Sequence, residues 1–476
     1  MWKRMLPILI SLKVLLFSFG YSYGSEAELL KRIEKLEKEL AELKAQLSQE
    51  RRKNRRALQK VETAVKSSKI RWYGNLRTIG SFFDTDGVNS FFKSLPHTQN
   101  LEVKDKTERW LTRFRLNGIA RFNDFTFHTR ISAYYLWGDR DRMDYFPYLT
   151  TGRIPHGGTE LFLERAYVDW KLPDLPMVLT IGRLPVGGGP PCDFKEDSVR
   201  KSVYPAIFFD SAMDGIILSV PLEKVTGIKH SGFRVGYGKP YQSDVEPAFY
   251  FQRRDVKDTR ALFLMFESPL PEWIGDDTLF VGGFSYLWDI PNALDINNVY
   301  TYDPKTGEVI PLNETRYSVG DLEALGIHIQ AKKFLYSNFD TFLSLGFTRT
   351  KPAPKYDKGR IVSLLGSTDE KTGWAVYTGF RYNFNRMNKV GFEFNHGSKY
   401  WLTFSQAPED LVGKLSVNGN VYETYFIHRF TDRIMSRLGF IYLDYDYLMG
   451  IPTWATEPIK TDFNIKTFYG LLDFRF

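Results

Sequence analysis

Residues 374–384 read WAVYTGFRYNF and residues 388–395 read NKVGFEFN. In the first stretch Trp374, Val376, Phe380, Tyr382 and Phe384 share one parity, with Thr378 among them, while Arg381 and Asn383 share the other. The chain turns at 386–388. Val390, Phe392 and Phe394 then point one way, Glu393 and Asn395 the other. A side-chain period of two with one apolar and one polar face is a strand, and two such strands across a short turn are a hairpin. Hairpins of this kind build either a soluble sandwich or a closed membrane barrel. In a barrel the apolar face meets lipid and the polar face lines water.

Working outward, the same period occurs in about sixteen segments, near 70–80, 109–122, 125–137, 160–172, 177–186, 211–220, 232–240, 258–268, 278–290, 321–334, 338–350, 372–385, 389–402, 419–430, 434–448 and 462–476. The uncertainty of such boundaries admits roughly 14 to 18 strands. The links alternate. Those at 123–124, 173–176, 269–277, 335–337, 386–388 and 431–433 are tight, and the intervening ones are long. Turns on one side and long loops on the other characterise outer-membrane barrels, and a sandwich has no reason to alternate its links in this way. The link 291–320 is expected to hold an extra hairpin, because VYTY and EVIPL flank a DPKTG turn. The last segment places Phe468, Gly470, Leu472, Phe474 and Phe476 on one face. It looks like the aromatic strand that outer-membrane proteins present to the barrel-assembly machinery.

Composition agrees with this class. After Ser25 no run of 18 apolar residues exists, so no transmembrane helix is predicted. The 38 Phe and 27 Tyr fit a lipid-facing surface with aromatic girdles. The net charge of +8 is modest, and its densest cluster, between Arg51 and Arg56, reads as a solvated helix surface with no nucleic-acid module around it. The single Cys192 cannot form an internal disulfide.

The N-terminal segment differs. Residues 1–24 have a positive head (Lys3, Arg4), an apolar stretch from Leu6 to Phe19, and small residues Ser22 and Gly24 at the cleavage positions, the pattern of a secretory signal peptide. Residues 25–68 are expected to be a periplasmic coiled coil: Leu29, Ile33, Leu36, Leu40, Leu43 and Leu47 alternate spacings of four and three. Glu50 and Asn54 break the seam, which Leu58, Val61 and Val65 resume. Such a stripe needs a partner. Self-association is favoured, with a trimer suggested by analogy to pore-forming barrels and the helix number left open by the sequence. The domain plan is therefore signal peptide 1–24, coiled coil 25–68 and all-β transmembrane antiparallel barrel 69–476 in the outer-membrane lipid.

Four segments, ERAYVDW (164–170), IGRLPVGGGPP (181–191), VYPAIFFD (203–210) and the Asp214–Gly215 pair, resemble a bacterial family of uncharacterised outer-membrane porin-like proteins, domain of unknown function 3373. The similarity extends over most of the chain after the coiled coil and is densest over about fifty residues. The resemblance implies an outer-membrane location. It supplies no substrate and no site residues. The plan of coiled coil followed by barrel is also similar to trimeric sugar-specific porins, and to proteins that tether the outer membrane to the cell wall, although no wall-binding domain is found.

Parity selects the residues that line the lumen. Arg113, Arg115, Asn117 and Arg121 share a face with Arg109, while Trp110, Phe114, Leu116, Ala120 and Phe122 take the other. Arg on the lipid face near the midplane costs about 2–4 kcal/mol, so the guanidiniums point inward. Arg130, Arg165, Arg381 and Arg429 have the same inward parity, and Asp169, Asp340, Glu393 and Glu423 are the inward acids. Such a lumen favours anions or small polar solutes. It serves equally as a bracing Arg–carboxylate network. The third long loop, 187–210, is expected to fold inward as a constriction: Gly187, Gly188 and Gly189 permit a sharp re-entry, and Asp193, Glu196 and Asp197 would then face the Arg-rich wall. The alternative is an ordinary external loop. No enzyme is expected, since HExxH, CxxC and GxSxG are absent and the seven His are scattered. No cofactor is expected either. A plugged structural or adhesive protein is the alternative function, and its mark would be loops filling the lumen.

Overall fold

In the computed structural model the period-two segments form strands. The structure describes residues 70–87, 105–137, 161–184, 187–208, 213–241, 257–292, 300–302, 309–311, 318–357, 360–404, 412–448 and 455–476, together with separate helical positions between 31 and 53. The signal peptide and the resumed seam at Leu58, Val61 and Val65 lie outside the described residues.

Sixteen strands form the wall among the described residues. They are β1 (Ile70–Asp86), β2 (Asp105–Phe122), β3 (Phe125–Leu136), β4 (Leu161–Lys171), β5 (Val178–Arg183), β6 (Asp214–Pro221), β7 (Gly232–Tyr241), β8 (Thr259–Ser268), β9 (Asp276–Pro291), β10 (Ser318–Lys332), β11 (Phe339–Pro352), β12 (Thr372–Asn383), β13 (Asn388–Gly397), β14 (Asn418–Arg429), β15 (Ile434–Leu448) and β16 (Asn464–Arg475). Each pairs antiparallel with the next. β16 returns to β1, with Leu76 opposite Phe474 and Arg77 opposite Asp473, so the sheet is closed and has no free edge. Phe476 finishes the seam: its amide donates to the Gly74 carbonyl at 3.1 Å and its carbonyl accepts from the Gly74 amide at 2.9 Å. Gly74 has to lack a side chain, because a Cβ there would lie 2.7 Å from the Phe476 ring.

The links alternate as the sequence predicts. The link 222–231 adds a seventh short turn; it holds the helix α2 (Glu223–Thr226), ended by Gly227 at φ 72°. At the two-residue turn 123–124, Asn123 takes φ 49°, which Asn tolerates better than most residues. Residues 300–302 and 309–311 pair as the expected hairpin in link 291–320.

Outward side chains form an apolar surface. Trp110, Phe127, Leu163, Phe347, Phe426 and Phe468 are all exposed. The inward face is not uniformly polar, and here the sequence expectation needs correction. Phe263 and Met265 on β8, Val281 and Leu287 on β9, Leu322 on β10, Ile427 on β14 and Leu443 on β15 are all buried. Several pack against side chains from the long links, namely Leu184, Tyr204, Met213, Leu364, Leu365, Leu402 and Ala455. Part of the lumen is therefore a hydrophobic core, built by loops that enter from one end. Each large apolar side chain so buried contributes on the order of 1.5–3 kcal/mol. The sequence signal was the run ALFLMF on β8, apolar at both parities, as a strand buried on both faces reads.

Ahead of the barrel, the described positions are helical, and Leu40, Leu43 and Leu47 of the proposed seam are exposed. No helix among the described residues is long and apolar enough to cross a membrane.

Candidate functional site: a loop latched inside the lumen

The loop between β5 and β6 buries side chains against residues of the wall strands. Gly189 presses against the other arm of the loop; a Cβ there would sit 1.7 Å from the Tyr204 carbonyl oxygen. The arms are joined by the Ala206 amide, which donates to the Pro190 carbonyl at 2.8 Å. Between them lies the short helix α1 (Cys192–Lys195). Phe194 and Ile207 are fully buried. The Phe194 ring meets Phe342 of β11 edge-on, with centroids 6.0 Å apart.

Three carboxylates at and beside α1 fix the loop to the wall. Asp197 accepts from Arg429 at 2.6 Å, from Arg381 at 3.1 Å, and from Lys389. Glu196 accepts two bonds from Arg77, one at 2.7 Å, and lies 3.5 Å from Arg437. Asp193 lies 3.2 Å from Lys332. The loop's own carbonyls are held as well: Phe194 by Arg381 at 2.5 Å, Lys195 by Arg437 at 2.7 Å and Glu196 by Arg475 at 2.6 Å. Lys195 reaches Glu423 of β14 at 3.1 Å. Burial by itself would raise the Glu196 carboxyl, but the charge of Arg77, with Arg437 beyond it, holds it well below the usual carboxylate range. Asp197 behaves alike: burial pushes it up, and the Lys389 hydrogen bond and the Arg381 charge bring it below its ordinary value.

A second loop, between β13 and β14, is fixed in the same style. Lys414 lies 2.6 Å from Glu423 and also pairs with Glu393, which accepts from the Tyr377 hydroxyl at 2.6 Å. The Trp401 indole donates to the Leu415 carbonyl at 2.8 Å.

On β2–β4 the arrangement differs. Glu164 accepts from Arg115 at 2.8 Å, Arg130 at 3.1 Å and Ser132 at 2.5 Å. Arg165, the neighbouring residue, donates to the Gly187 carbonyl at 2.6 Å. Strict alternation forbids both 164 and 165 from facing inward. A bulge resolves this: the β3–β4 register pairs Arg130 with Arg165 but Ile131 with Leu163, so Glu164 is the extra residue. Parity reasoning therefore found Arg165 and missed Glu164. Arg113 is buried; Arg121, close to the turn, is exposed.

Of the residues singled out from the sequence, Arg115, Arg130, Arg381, Glu393 and the three loop acids are buried and Arg165 and Arg429 are half-buried, and their partners are not the ones parity suggests. Asp197 meets Arg381 and Arg429, Glu196 meets Arg77 and Arg437, Asp193 meets Lys332, and none forms an ion pair with Arg115 or Arg130, which Glu164 already occupies. Arg77, Lys332, Lys389, Arg437, Arg475 and Asp473 complete the latch and were missed, although their parities are inward. Between the loop and the β3–β4 wall lies a gap lined by Arg130, Arg165, Gly188, Cys192, Asp193, Glu196, Ser198, Val199 and Lys201. At about 10 Å³ it has room for one water.

Two other features bear on chemistry. His328 bonds Ser344 at 2.7 Å and Gln330 at 3.2 Å, but it is fully buried, so no substrate reaches this Ser–His pair. Among the described residues, no group of three or more His, Cys, Asp or Glu is placed to hold a metal ion.

The family model described as "Protein of unknown function (DUF3373)" matches residues 104–469. No curated protein matches the chain. Similar solved structures include OprB of Pseudomonas putida, with 15% identity, TM-score 0.48, and coverage of 87% of this chain and 96% of that one. OmpT, an outer membrane protein of Vibrio cholerae, has 10% identity and TM-score 0.46, covering 86% and 97%. An anion-selective porin from Comamonas acidovorans has 8% identity and TM-score 0.45, covering 86% and 99%.

Proposed function

Since the chain belongs to the DUF3373 family, whose description assigns no activity, we propose from its own geometry that it is a passive channel of the bacterial outer membrane, narrowed by loop 187–208 and passing small polar or anionic solutes. A closed antiparallel wall with an apolar outer surface is one of the two structures that satisfy every backbone group in lipid. The observation that carries the reading is the asymmetric seat of the loop. Its ion pairs reach β1 and strands from β9 to β16, whereas β4 holds it through the Gly187 carbonyl, and the gap it leaves lies along a wall with more guanidiniums than carboxylates. Arg and Lys at a constriction favour anions.

The test is single-channel conductance of the purified protein in a planar bilayer under a salt gradient. Open steps with an anion-favouring reversal potential, weakened by Arg115→Glu, are the expected result. A folded, inserted protein that never conducts would leave the second reading, a plugged structural or adhesive barrel. That reading draws on the hydrophobic core that the long links build inside the lumen.

The helical segment ahead of the barrel is proposed to join copies of the chain from the periplasm, with a trimer favoured. Leu40, Leu43 and Leu47 supply the apolar seam. Native mass spectrometry of the detergent-solubilised protein, with and without Leu40→Glu and Leu43→Glu, measures this. Loss of the oligomer in the double variant is expected.

A further inference from the structure

Within the gap, charge is unevenly compensated. Arg130 uses Nε on Asn117 at 2.7 Å and Nη1 on Glu164 at 3.1 Å. Arg165 makes one hydrogen bond, through Nη2 to the Gly187 carbonyl, and has no carboxylate partner among the described residues. Glu164, the acid nearest to it in sequence, is already taken by Arg115, Arg130 and Ser132. Of the two acids that line the gap, Glu196 is engaged with Arg77, and Asp193 with Lys332 through Oδ2, while its buried Oδ1 makes no hydrogen bond. The Ser198 hydroxyl, also in the lining, is buried with no hydrogen-bond partner. Lys201 adds a further cation to the lining.

A guanidinium removed from bulk water and lacking a counter-charge is costly unless an anion accompanies it. Its planar fork suits an oxyanion or a halide. We propose that this gap is an anion-binding site, in which Arg165, with Arg130 beside it and the Ser198 hydroxyl opposite, holds a small inorganic anion. That such an anion is also a permeant species rests on the channel reading; the site itself does not.

The chain carries its own reporter. Cys192 is the only cysteine, is half-buried and lines the gap. The full chain, folded in detergent, is treated with an anionic and with a cationic methanethiosulfonate of similar size, and the labelling of Cys192 is followed by mass spectrometry. The lining carries three cations and two acids that Lys332 and Arg77 already offset, so its field is net positive; such a field concentrates counter-ions, and the anionic reagent is expected to react about 10-fold faster. Arg165→Gln keeps a donor for Gly187 but removes the charge, and should bring the ratio to within about threefold of unity. Arg165→Lys should keep most of it. A gap with room for one water admits a halide, so chloride, exchanged at constant ionic strength for a bulky organic anion, should slow the anionic reagent in the wild type and leave Arg165→Gln unaffected.

Equal rates in the wild type, a preference for the cation, or a Cys192 that neither reagent reaches would each overturn the site. The wild-type ratio decides even where a variant does not fold, which heat-dependent gel mobility shows. A barrel that never conducts but keeps the ratio retains the site and loses the channel; a conducting barrel with a ratio of one does the reverse.

Discussion

The two sides of the lumen use the same residue types to opposite ends. Along β10–β16 and β1, two of the three loop acids are shared among several cations: Asp197 serves Arg381, Lys389 and Arg429, and Glu196 serves Arg77 and Arg437, while Asp193 pairs with Lys332 alone among the described residues. Apolar packing of Phe194 and Ile207 backs them. Along β2–β4, one acid from the wall itself, Glu164, serves Arg115 and Arg130, and Arg165 is left with a carbonyl. A loop with three acids at and beside α1 settles where its charges are needed. By this contrast, charge changes on the first side should alter how wide the passage is, and those on the second should alter what passes.

The largest effect is expected from Asp197→Ala. The change leaves Lys389 and Arg429 without their carboxylate beside Arg381, which keeps Asp340. Breaking a buried pair costs about 3–5 kcal/mol, since the surviving charges stay desolvated. The loop should leave its seat, with larger unitary conductance, faster labelling of Cys192 by either reagent, and a lower unfolding temperature. Unchanged conductance and stability would mean that Phe194 and its apolar neighbours seat the loop unaided.

Glu164→Gln probes the other side. A Gln still accepts one hydrogen bond but loses the charge that Arg115 and Arg130 share. A cost of about 1–3 kcal/mol is expected. Conductance should stay near the wild-type value while the reversal potential moves further toward anions. A change in conductance as large as that of Asp197→Ala would erase the distinction between the two walls.

Acid should release the latch only well below neutral pH. Glu196 and Asp197 have folded values held below the unfolded ones, so their contribution is complete above the unfolded range, roughly pH 4–5. As pH falls below that, the released loop binds protons first and the contribution erodes. It is lost as pH passes through the lowered folded values. Unitary conductance should therefore be flat from pH 7 to about pH 5 and rise only in stronger acid. A rise already at pH 6 would point to a group other than these carboxylates.

Local period carried most of the barrel. Alternation placed the sixteen wall strands but not the short hairpin of 355–357 and 360–362, and alternating link lengths separated short turns from long loops. Three kinds of information were not local. The bulge at Glu164 shifts parity by one residue, and nothing in LFLERAYVDW marks where. The pairing of Arg77 with Asp473 depends on closure of the barrel, which brings the first and last strands together. Which wall the loop chooses is a sum over charges from many strands, so the residues were legible while their partners were not. The mixed lumen was partly legible, because β8 is apolar at both parities.

The smallest stability effect, and the sharpest separation of function from folding, is expected at Val199. It lines the gap and is 84% exposed, so its side chain has little packing to lose. Val199→Glu should change stability by no more than about 0.5 kcal/mol. Its charge would nevertheless lie beside Arg130 and Arg165, within the screening length of about 8–10 Å at moderate salt. The anion preference should fall, and more so at low salt than at high. Lys224→Glu, on the exposed helix α2 of a short turn, makes an even larger change in net charge at the turn end. It should leave the reversal potential nearly unmoved. If the two variants shift the potential equally, selectivity is set by the overall charge of the molecule, and the wall that faces the loop has no special part in it.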